Sequence, residues 1–312
     1  MQDIPIAVPP RIEEKMRNQV HVFFNARSGQ GSGDVQTIAR LFSEHHCACE
    51  LTELKRGVDI AASAAKEDPS VTFLAAGGDG TVNAVANAVA GTGRAMGVLP
   101  VGTLNHFAKD LGLPMELDAA VQVAACGHVR SIDVAEVNGS YFVNNSSLGM
   151  YPQTVVERER MQKNGWNKWA SLVAASARAF LRFRHLEVEL MLDGGNKRCR
   201  TPFVFIGNNE YCMEGMRLGS RERLDGQELW LFLAPGVTRA GMLWLAITSF
   251  FGRVQGDPHF EVFKVREFTV NVRRGRRIRV SLDGEVRKFS GPLRYCIHPG
   301  ALQVLCPPDE PL

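Results

Sequence analysis

The segment Gly77-Gly78-Asp79-Gly80-Thr81 combines three glycines with one carboxylate. An apolar run at 71–76 precedes it, and an alanine-rich run without helix breakers at 82–89 follows it. Glycines let backbone N–H groups approach a ligand closely, and the start of a helix offers unpaired N–H donors and a partial positive charge. Asp79 adds oxygen atoms where a metal ion or water bound to phosphate would sit. These residues therefore indicate a nucleotide phosphate site at a strand-to-helix turn.

Two further glycine turns follow apolar runs in the first half of the chain. The run 20–24 leads into the turn 25–33, and the run 95–100 leads into 101–105. Each turn alone is also typical of a plain connection between a strand and a helix. Because the carboxyl ends of successive parallel strands face one crevice of an open α/β sheet, we expect the three glycine turns to line one site.

Two carboxylates meet at Asp283-Gly284-Glu285, directly after the strand pattern 278–282. A tight turn there would present both carboxylates for proton transfer or metal binding. A solvated Asp-Gly hairpin turn has the same composition, so the residues alone leave a structural turn as the plainer alternative.

The residues from 20 to about 134 alternate strand and helix patterns. Strand patterns lie near 20–25, 49–54, 71–76 and 95–99, and helical patterns lie near 34–45, 58–67, 81–90 and 103–111. This alternation is typical of a doubly wound parallel sheet. We predict an N-terminal α/β domain over residues 18–134, after a polar lead-in that contains prolines.

The pattern changes after Asp133 to that of an antiparallel β domain. Residues 134–143 form a hairpin pattern around Asn138-Gly139. Strand patterns follow near 186–193, 201–207, 228–234, 258–265, 267–273 and 276–282, with helical patterns near 152–183 and 239–252. We predict a β-rich domain with inserted helices over residues 135–299, and a functional cleft between the two domains.

The composition is that of a globular protein, with 45% hydrophobic and 22% charged residues. The net charge of +3 is too small to indicate a nucleic-acid partner. The seven cysteines include no C-x-x-C pair, so they suggest neither a zinc site nor a disulfide framework. The first residues lack the features of a signal peptide, and the apolar stretch at 240–251 is too short to cross a bilayer. We expect a cytoplasmic protein.

Five segments occur in the order and spacing of one known family: NARSGQGSG, GGDGTVNAVANAV, GVLPVGTLNHFAKDLGLP, SIDVAEVNGSYFVNNSSLG and VSLDGE. Over residues 20–304 the chain resembles the diacylglycerol kinase catalytic-domain family, in particular its bacterial lipid kinases, which are relatives of the sphingosine kinases and distantly of the NAD kinases. The resemblance implies an NAD-kinase-like α/β domain and a β-sandwich with the lipid pocket. It also implies that the last strand, near 300–307, returns to the first domain.

The same resemblance implies transfer of the γ-phosphoryl group of ATP to a lipid hydroxyl, with Mg²⁺. It assigns Glu285 as the base, Asp283 as a residue that orients Glu285 or contacts metal, and Asp79 as a ligand of the phosphate-bound metal. The positions that match the family's nucleotide site are Asn25, Arg27, Ser28, Gly29, Thr52, Gly77, Gly78, Asp79, Gly80, Thr81, Thr103 and Asn105.

A second Asp-Gly pair, Asp225-Gly226, matches a family turn that holds a structural magnesium ion. The resemblance implies a side-chain ligand from Asp225 and backbone carbonyls from Glu222 and Gln227.

One position departs from the family, because His106 stands where an aspartate is usual. Asp110, one helical turn later, could partly replace that carboxylate, or His106 is a capping or packing residue.

Basic and aromatic residues cluster in two places. Arg273-Arg274-Gly275-Arg276-Arg277 has the composition of a solvated hairpin tip, and clustered cations also attract anionic lipid or ATP phosphates. Arg158, Arg160, Lys163 and Lys168 with Trp166 and Trp169 suit a membrane interface, and they also suit an ordinary amphipathic helix. For a lipid kinase we favour peripheral membrane contact at the inner face, and we expect 242–247 to be a core helix or a wall of the lipid pocket.

Two other functions stay open at this stage. GGDGT also occurs in NAD kinases, and Gly207-Asn208-Asn209-Glu210 resembles their Asn-Glu pair. A regulator of the same fold that binds nucleotide or lipid without catalysis is the other alternative, which His106 would permit. The sequence does not identify the lipid, and it leaves the oligomeric state open, with a homodimer among the alternatives.

Overall fold

The structure is a computed structural model that describes most of the chain. The described residues are 19–26, 35–55, 57–163, 171, 174, 177–178, 180–181, 185–211, 221, 223–250, 260–273 and 277–308.

The first half alternates strands and helices, as the sequence predicts. The strands are β1 (Gln19–Phe24), β2 (Ala48–Glu53), β3 (Thr72–Ala76) and β4 (Ala95–Leu99). The helices are α1 (Val35–Glu44), α2 (Ile60–Lys66), α3 (Asp79–Val89), α4 (His106–Asp110) and α5 (Leu117–Cys126). All four strands pair in parallel in the order β2-β1-β3-β4. Every residue of β3 is buried, because helices cover both faces of a parallel sheet.

The second half is mainly antiparallel. Its strands are β5 (His128–Val137), β6 (Ser140–Phe142), β7 (Asn145–Gly149), β8 (Leu186–Leu192), β9 (Gly195–Thr201), β10 (Phe203–Asn208), β11 (Leu229–Leu233), β12 (Glu261–Val265), β13 (Glu267–Val272), β14 (Ile278–Leu282), β15 (Glu285–Phe289) and β16 (Leu293–Cys306). Its helices whose bounds lie within the described residues are α6 (Met150–Lys163) and α7 (Arg239–Phe250). The predicted Asn138-Gly139 turn joins β5 to β6, with φ values of 46° and 80° that suit a two-residue hairpin turn.

Two sheets form the β-sandwich. Within the described residues, one sheet has six strands in the order β12-β11-β10-β7-β14-β15. The facing layer is β5, β6, β8, β9, β13 and part of β16, and apolar side chains from both layers form one buried core. The α/β domain followed by an antiparallel β-sandwich confirms the predicted fold class.

The long strand β16 connects the two halves. Its first part pairs antiparallel with β13 on one side, and its last part pairs in parallel with β4 through Gln303 and Val304. Both parts pair antiparallel with β5. The register with β5 shifts between His298 and Leu302, where Gly300 has a φ of 62°. The parallel strands and one sandwich layer are therefore continuous as one sheet. The domain boundaries at 134/135 and 299/300 stay predictions.

The prediction of a basic hairpin at 273–277 is wrong. The strand before it, β13, pairs with β8 and β16, whereas the strand after it, β14, pairs with β7 and β15. The strands on either side of the segment therefore belong to different sheets and do not form a hairpin. Residues 274–276 lie outside the described part of the chain, as do Lys168, Trp166 and Trp169.

Candidate active site

The glycine turn between β3 and α3 has the predicted strand-to-helix geometry. Gly78 is the N-cap of α3 in an extended conformation, and it has no side chain to satisfy the first N–H groups of the helix. A Cβ atom on Gly77 would lie 2.3 Å from the Thr81 hydroxyl oxygen, so this position accommodates glycine only. The helix start therefore presents backbone donors, as an anion site needs.

The turn after β4 packs directly on this glycine turn. A Cβ atom on Gly102 would lie 2.4 Å from the Cα atom of Gly78. Asn105 holds the second turn closed, because its amide donates to the carbonyls of Pro100 (2.8 Å) and Gly102 (3.1 Å). Its Oδ1 atom is buried and has no hydrogen-bond partner among the described residues. A buried acceptor without a donor beside two glycine turns fits a bound ligand or water.

Asp79 lies where helices α3 and α4 begin. It is the first residue of α3, and its Oδ1 atom accepts a 3.3 Å hydrogen bond from the backbone N–H of Phe107 in α4. This contact fixes one carboxylate oxygen beside the second glycine turn. Carboxylate oxygens suit a hard cation such as Mg²⁺, so the position fits the predicted role.

Glu285 brings a second carboxylate to the same helix start. It is the first residue of β15, and a Cβ atom on Gly80 would lie only 3.0 Å from its Oε1 atom. The Glu285 side chain is 51% exposed, so a substrate can reach it. The Arg287 guanidinium lies 3.5 Å from Glu285 Oε2 and 3.3 Å from Asn83 Oδ1. The structure thus brings Glu285 and the glycine turn together across the two domains.

Asp283, unlike Glu285, is enclosed by protein. Its Oδ2 atom accepts from the Asn83 amide (2.6 Å) and the Val143 N–H (2.8 Å), and Oδ1 accepts from the N–H groups of Asn144 (2.8 Å) and Asn145 (2.9 Å). Burial raises the pKa of Asp283, and the four donors oppose that rise. These contacts favour the orienting role over the metal role that the sequence left open.

A buried ion pair joins the two domains next to this site. The Arg221 guanidinium bonds to the Asp110 carboxylate of α4 at 2.8 Å, and it donates to the side-chain oxygen of Asn144 at 2.8 Å. Burial raises the pKa of Asp110, whereas the Arg221 charge lowers it. Asp110 therefore pairs with arginine, which argues against the expectation that Asp110 replaces the aspartate usual at position 106. His106 itself is exposed at the start of α4.

The other predicted nucleotide positions within the described residues are Asn25, Thr103 and Thr52, and each has its own surroundings. Asn25 donates its backbone N–H to Ala76 at 3.3 Å, so the first glycine turn begins beside the end of β3. Thr103 is exposed in the second turn. The Thr52 hydroxyl lies 2.9 Å from Nε2 of His21, a contact within the sheet. Three of the predicted residues lie outside the described part of the chain: Arg27, Ser28 and Gly29.

The predicted magnesium turn is exposed. The Asp225 carboxylate lies 3.2 Å from the Arg223 side chain, and the Gln227 N–H donates to the Asp133 carboxylate at 2.6 Å. A Cβ atom on Gly226 would lie 3.0 Å from Oδ1 of Asn209, a buried oxygen without a described partner. These oxygen atoms fit a hard cation, and Asn209 is a candidate ligand that the Asp-Gly motif does not predict. Glu222 lies outside the described residues.

Comparison with known proteins decides the family. The profile of the diacylglycerol kinase catalytic domain matches residues 19–137, and the profile of the YegS C-terminal NAD kinase beta sandwich-like domain matches residues 152–306. The chain belongs to the diacylglycerol kinase catalytic-domain family. Its relatives are named as kinases, so family membership makes this chain a lipid kinase homologue within the transferases.

Alignments with several relatives cover most of this chain and most of each relative. A probable lipid kinase YegS-like from Cronobacter sakazakii is 29% identical over 263 residues, which are 80% of this chain and 83% of that protein. A diacylglycerol kinase from Bacillus subtilis is 29% identical over 231 residues, 72% of this chain and 75% of that protein. The crystal structure of a diacylglycerol kinase from Bacillus anthracis shares the fold, with a TM-score of 0.70 over 93% of this chain and 98% of that one at 19% identity.

Proposed function

We propose that this protein is an ATP-dependent lipid kinase that transfers the γ-phosphoryl group to a diacylglycerol-like or sphingoid hydroxyl. One observation carries the proposal: the exposed carboxylate of Glu285 lies against Gly80, in the first turn of the helix that would bind the phosphates. A base from the β domain and an anion site from the α/β domain are thus adjacent. Phosphoryl transfer needs this combination of positioning and charge neutralisation.

In the proposed reaction, Glu285 accepts the proton of the lipid hydroxyl. The hydroxyl oxygen forms a bond to the γ-phosphorus, the bond from that phosphorus to the β,γ-bridging oxygen breaks, and ADP leaves with the electron pair. The N–H groups at the start of α3 bind phosphate oxygens. Asp79 would hold Mg²⁺, which supplies charge neutralisation at the phosphates. Arg287 adds a positive charge beside Glu285.

The two alternatives receive less support from the described contacts. An NAD kinase would use the Asn208-Asn209-Glu210 segment for its substrate, but the buried Asn208 amide donates to the carbonyls of Asp133 (3.0 Å) and Val143 (2.9 Å). A regulator without catalysis would not need a carboxylate that is both exposed and held at the phosphate site. Glu285 has both properties.

An exposed apolar face on α7 supports peripheral membrane contact. Leu243 and Trp244 are 54% and 60% exposed, while Met242 and Leu245 of the same helix are buried in a small apolar cluster. Tryptophan and leucine at a surface suit the interface of a bilayer. None of the described helices has the length and apolar character to cross a membrane. We propose that α7 contacts the surface of the membrane that holds the lipid substrate.

The reaction is tested with ATP labelled at the γ-phosphate and Mg²⁺. The purified protein is given diacylglycerol, a sphingoid base, ceramide, phosphatidylglycerol or a polyprenol in mixed micelles, with NAD and no-lipid controls. Label on one lipid supports the proposal and names the substrate. Label on NAD alone contradicts it. A protein that binds ATP but phosphorylates none of the lipids also contradicts it.

Membrane contact is tested by sedimentation with vesicles of phosphatidylethanolamine and phosphatidylglycerol. We expect the double variant L243S/W244S to lose vesicle binding and to keep phosphorylation of a short-chain, water-soluble substrate. The matched control is Val262→Ser, which removes an exposed apolar side chain from β12. Equal vesicle binding by the α7 variant and wild type would contradict this part of the proposal.

A further inference from the structure

Three metal-ligating side chain types meet on the neighbouring strands β5 and β16. Glu136 lies directly opposite Cys296, and His298 follows two residues later on the same face of the sheet. His298 Nε2 lies 2.7 Å from Glu136 Oε2 and 3.3 Å from Cys296 Sγ, and that sulfur lies 4.0 Å from the same carboxylate oxygen. All three side chains are half-buried. We call these residues the β5–β16 cluster.

The separations suit one tetrahedral metal ion. Zinc binds nitrogen and oxygen at about 2.0–2.1 Å and sulfur at about 2.3 Å, which places tetrahedral ligand atoms about 3.3–3.6 Å apart. The observed distances of 2.7, 3.3 and 4.0 Å bracket that range. Shifts of roughly half an ångström in the side chains would therefore accommodate the ion.

The surroundings favour a cation and hold its ligands in place. The second Glu136 oxygen accepts a 2.7 Å hydrogen bond from the Gly139 N–H, which fixes the carboxylate. The Tyr141 ring packs edge-on against the His298 imidazole at 5.6 Å. Glu267 lies opposite Cys296 on the other neighbouring strand, β13, and adds negative charge. Contacts of this kind orient metal ligands in proteins.

We propose that Glu136, Cys296 and His298 form a zinc-binding site, with water as the fourth ligand. Binding converts the Cys296 thiol to a thiolate and releases its proton to solvent. The cluster borders the register shift of β16 between His298 and Leu302, where this strand passes from the sandwich towards the parallel strands. A bound ion would therefore fasten β5 to β16 where the two halves of the protein join.

The site is tested on the full chain after treatment with a chelator, first with Co²⁺ as a spectroscopic probe and then with Zn²⁺. We expect one equivalent of Co²⁺ to give the charge-transfer absorption of a thiolate ligand and a tetrahedral visible band. Zn²⁺ should displace it and raise the thermal unfolding midpoint. C296S and H298Q should each weaken binding at least about 100-fold, because even the outer partners of metal ligands contribute about 10- to 100-fold.

The matched control is Cys199→Ser, which replaces another half-buried thiol and should bind Co²⁺ like wild type. Circular dichroism checks that each variant is folded. If a ligand variant does not fold, the wild-type protein is alkylated with and without Zn²⁺. Protection of Cys296 by Zn²⁺ then shows that this thiol binds the ion. The proposal is overturned if wild type binds no stoichiometric Co²⁺, if the thiolate band persists in folded C296S, or if Zn²⁺ leaves Cys296 alkylation unchanged.

Discussion

The Asp283 carboxylate accepts a 2.6 Å hydrogen bond from the side-chain amide of Asn83. The two residues are separated by 200 positions in the sequence. Asn83 lies in α3, one turn after the glycine turn, and Asp283 lies in the turn that precedes Glu285. This buried bond therefore fixes the position of Glu285 relative to the start of α3.

We expect Asn83→Ala to reduce turnover at nearly unchanged ATP affinity, because Glu285 loses its fixed position while the glycine turn remains. The loss of a donor to a buried carboxylate should lower the free energy of unfolding by about 1–3 kcal/mol. Urea denaturation and steady-state kinetics measure both effects. Asn138→Ala is the control, since the Asn138 amide at the turn from β5 to β6 donates to the carbonyls of Ser290 and Pro292. Equal losses of turnover in the two variants would contradict the positioning role of Asn83.

Gly80→Ala separates activity from stability. Alanine favours helix over glycine by about 1 kcal/mol, so the free energy of unfolding should stay equal or rise. The new methyl group would lie 3.0 Å from Glu285 Oε1 and would push that carboxylate away from the helix start. We expect at least a tenfold loss of turnover in a protein as stable as wild type, as measured by kinetics and thermal unfolding. Wild-type turnover in this variant would argue against Glu285 acting at Gly80.

Arg221→Met should lower the free energy of unfolding by about 3–5 kcal/mol, because it leaves the buried Asp110 carboxylate without its partner. Asp110→Asn together with Arg221→Met should cost less than the sum of the two single changes. Urea denaturation of the four proteins gives the coupling energy. The exposed pair Arg40 and Glu44 serves as control, with a coupling below about 0.5 kcal/mol. Additive effects at Arg221 and Asp110 would mean that the pair does not stabilise the protein.

Tyr211 should make stability depend on alkaline pH. Burial raises the pKa of Tyr211 to about 12, above the ordinary tyrosine value of about 10. Its contribution to stability is therefore complete below about pH 10, where the unfolded chain also keeps the proton, and is lost as the pH rises towards 12. We expect the free energy of unfolding to fall more steeply over this range in wild type than in Tyr211→Phe. Parallel pH profiles from urea denaturation would contradict the raised pKa.

Local sequence patterns predicted the parts of the fold that depend on neighbouring residues. The glycine turns after β3 and β4 follow from close packing that leaves no room for a Cβ atom. The Asn138-Gly139 hairpin follows from left-handed φ values that few residues adopt. The long strand β16 was not predicted in full, because Pro299-Gly300 has the composition of a turn. In the structure these residues lie at a register shift within the strand.

The contacts that complete the candidate site are long-range, which is why local patterns missed them. Arg221 reaches Asp110 across 111 positions, and no repeat or spacing marks the pair. Asn83 sits in the recognised GGDGTVN segment, but its role depends on meeting Asp283. The buried Arg94 guanidinium, which donates to four backbone carbonyls, likewise looks like an ordinary surface arginine in the sequence.

The most direct test of the lipid kinase account compares wild type with Glu285→Gln in transfer of labelled phosphate from ATP to the lipid panel. ATP binding is measured on the same preparations, and Glu189→Gln on β8 serves as a carboxylate control. We predict that Glu285→Gln lowers transfer at least about 100-fold, the range of a lost general base, while ATP affinity changes less than about twofold. Turnover by Glu285→Gln at the wild-type rate would contradict the account.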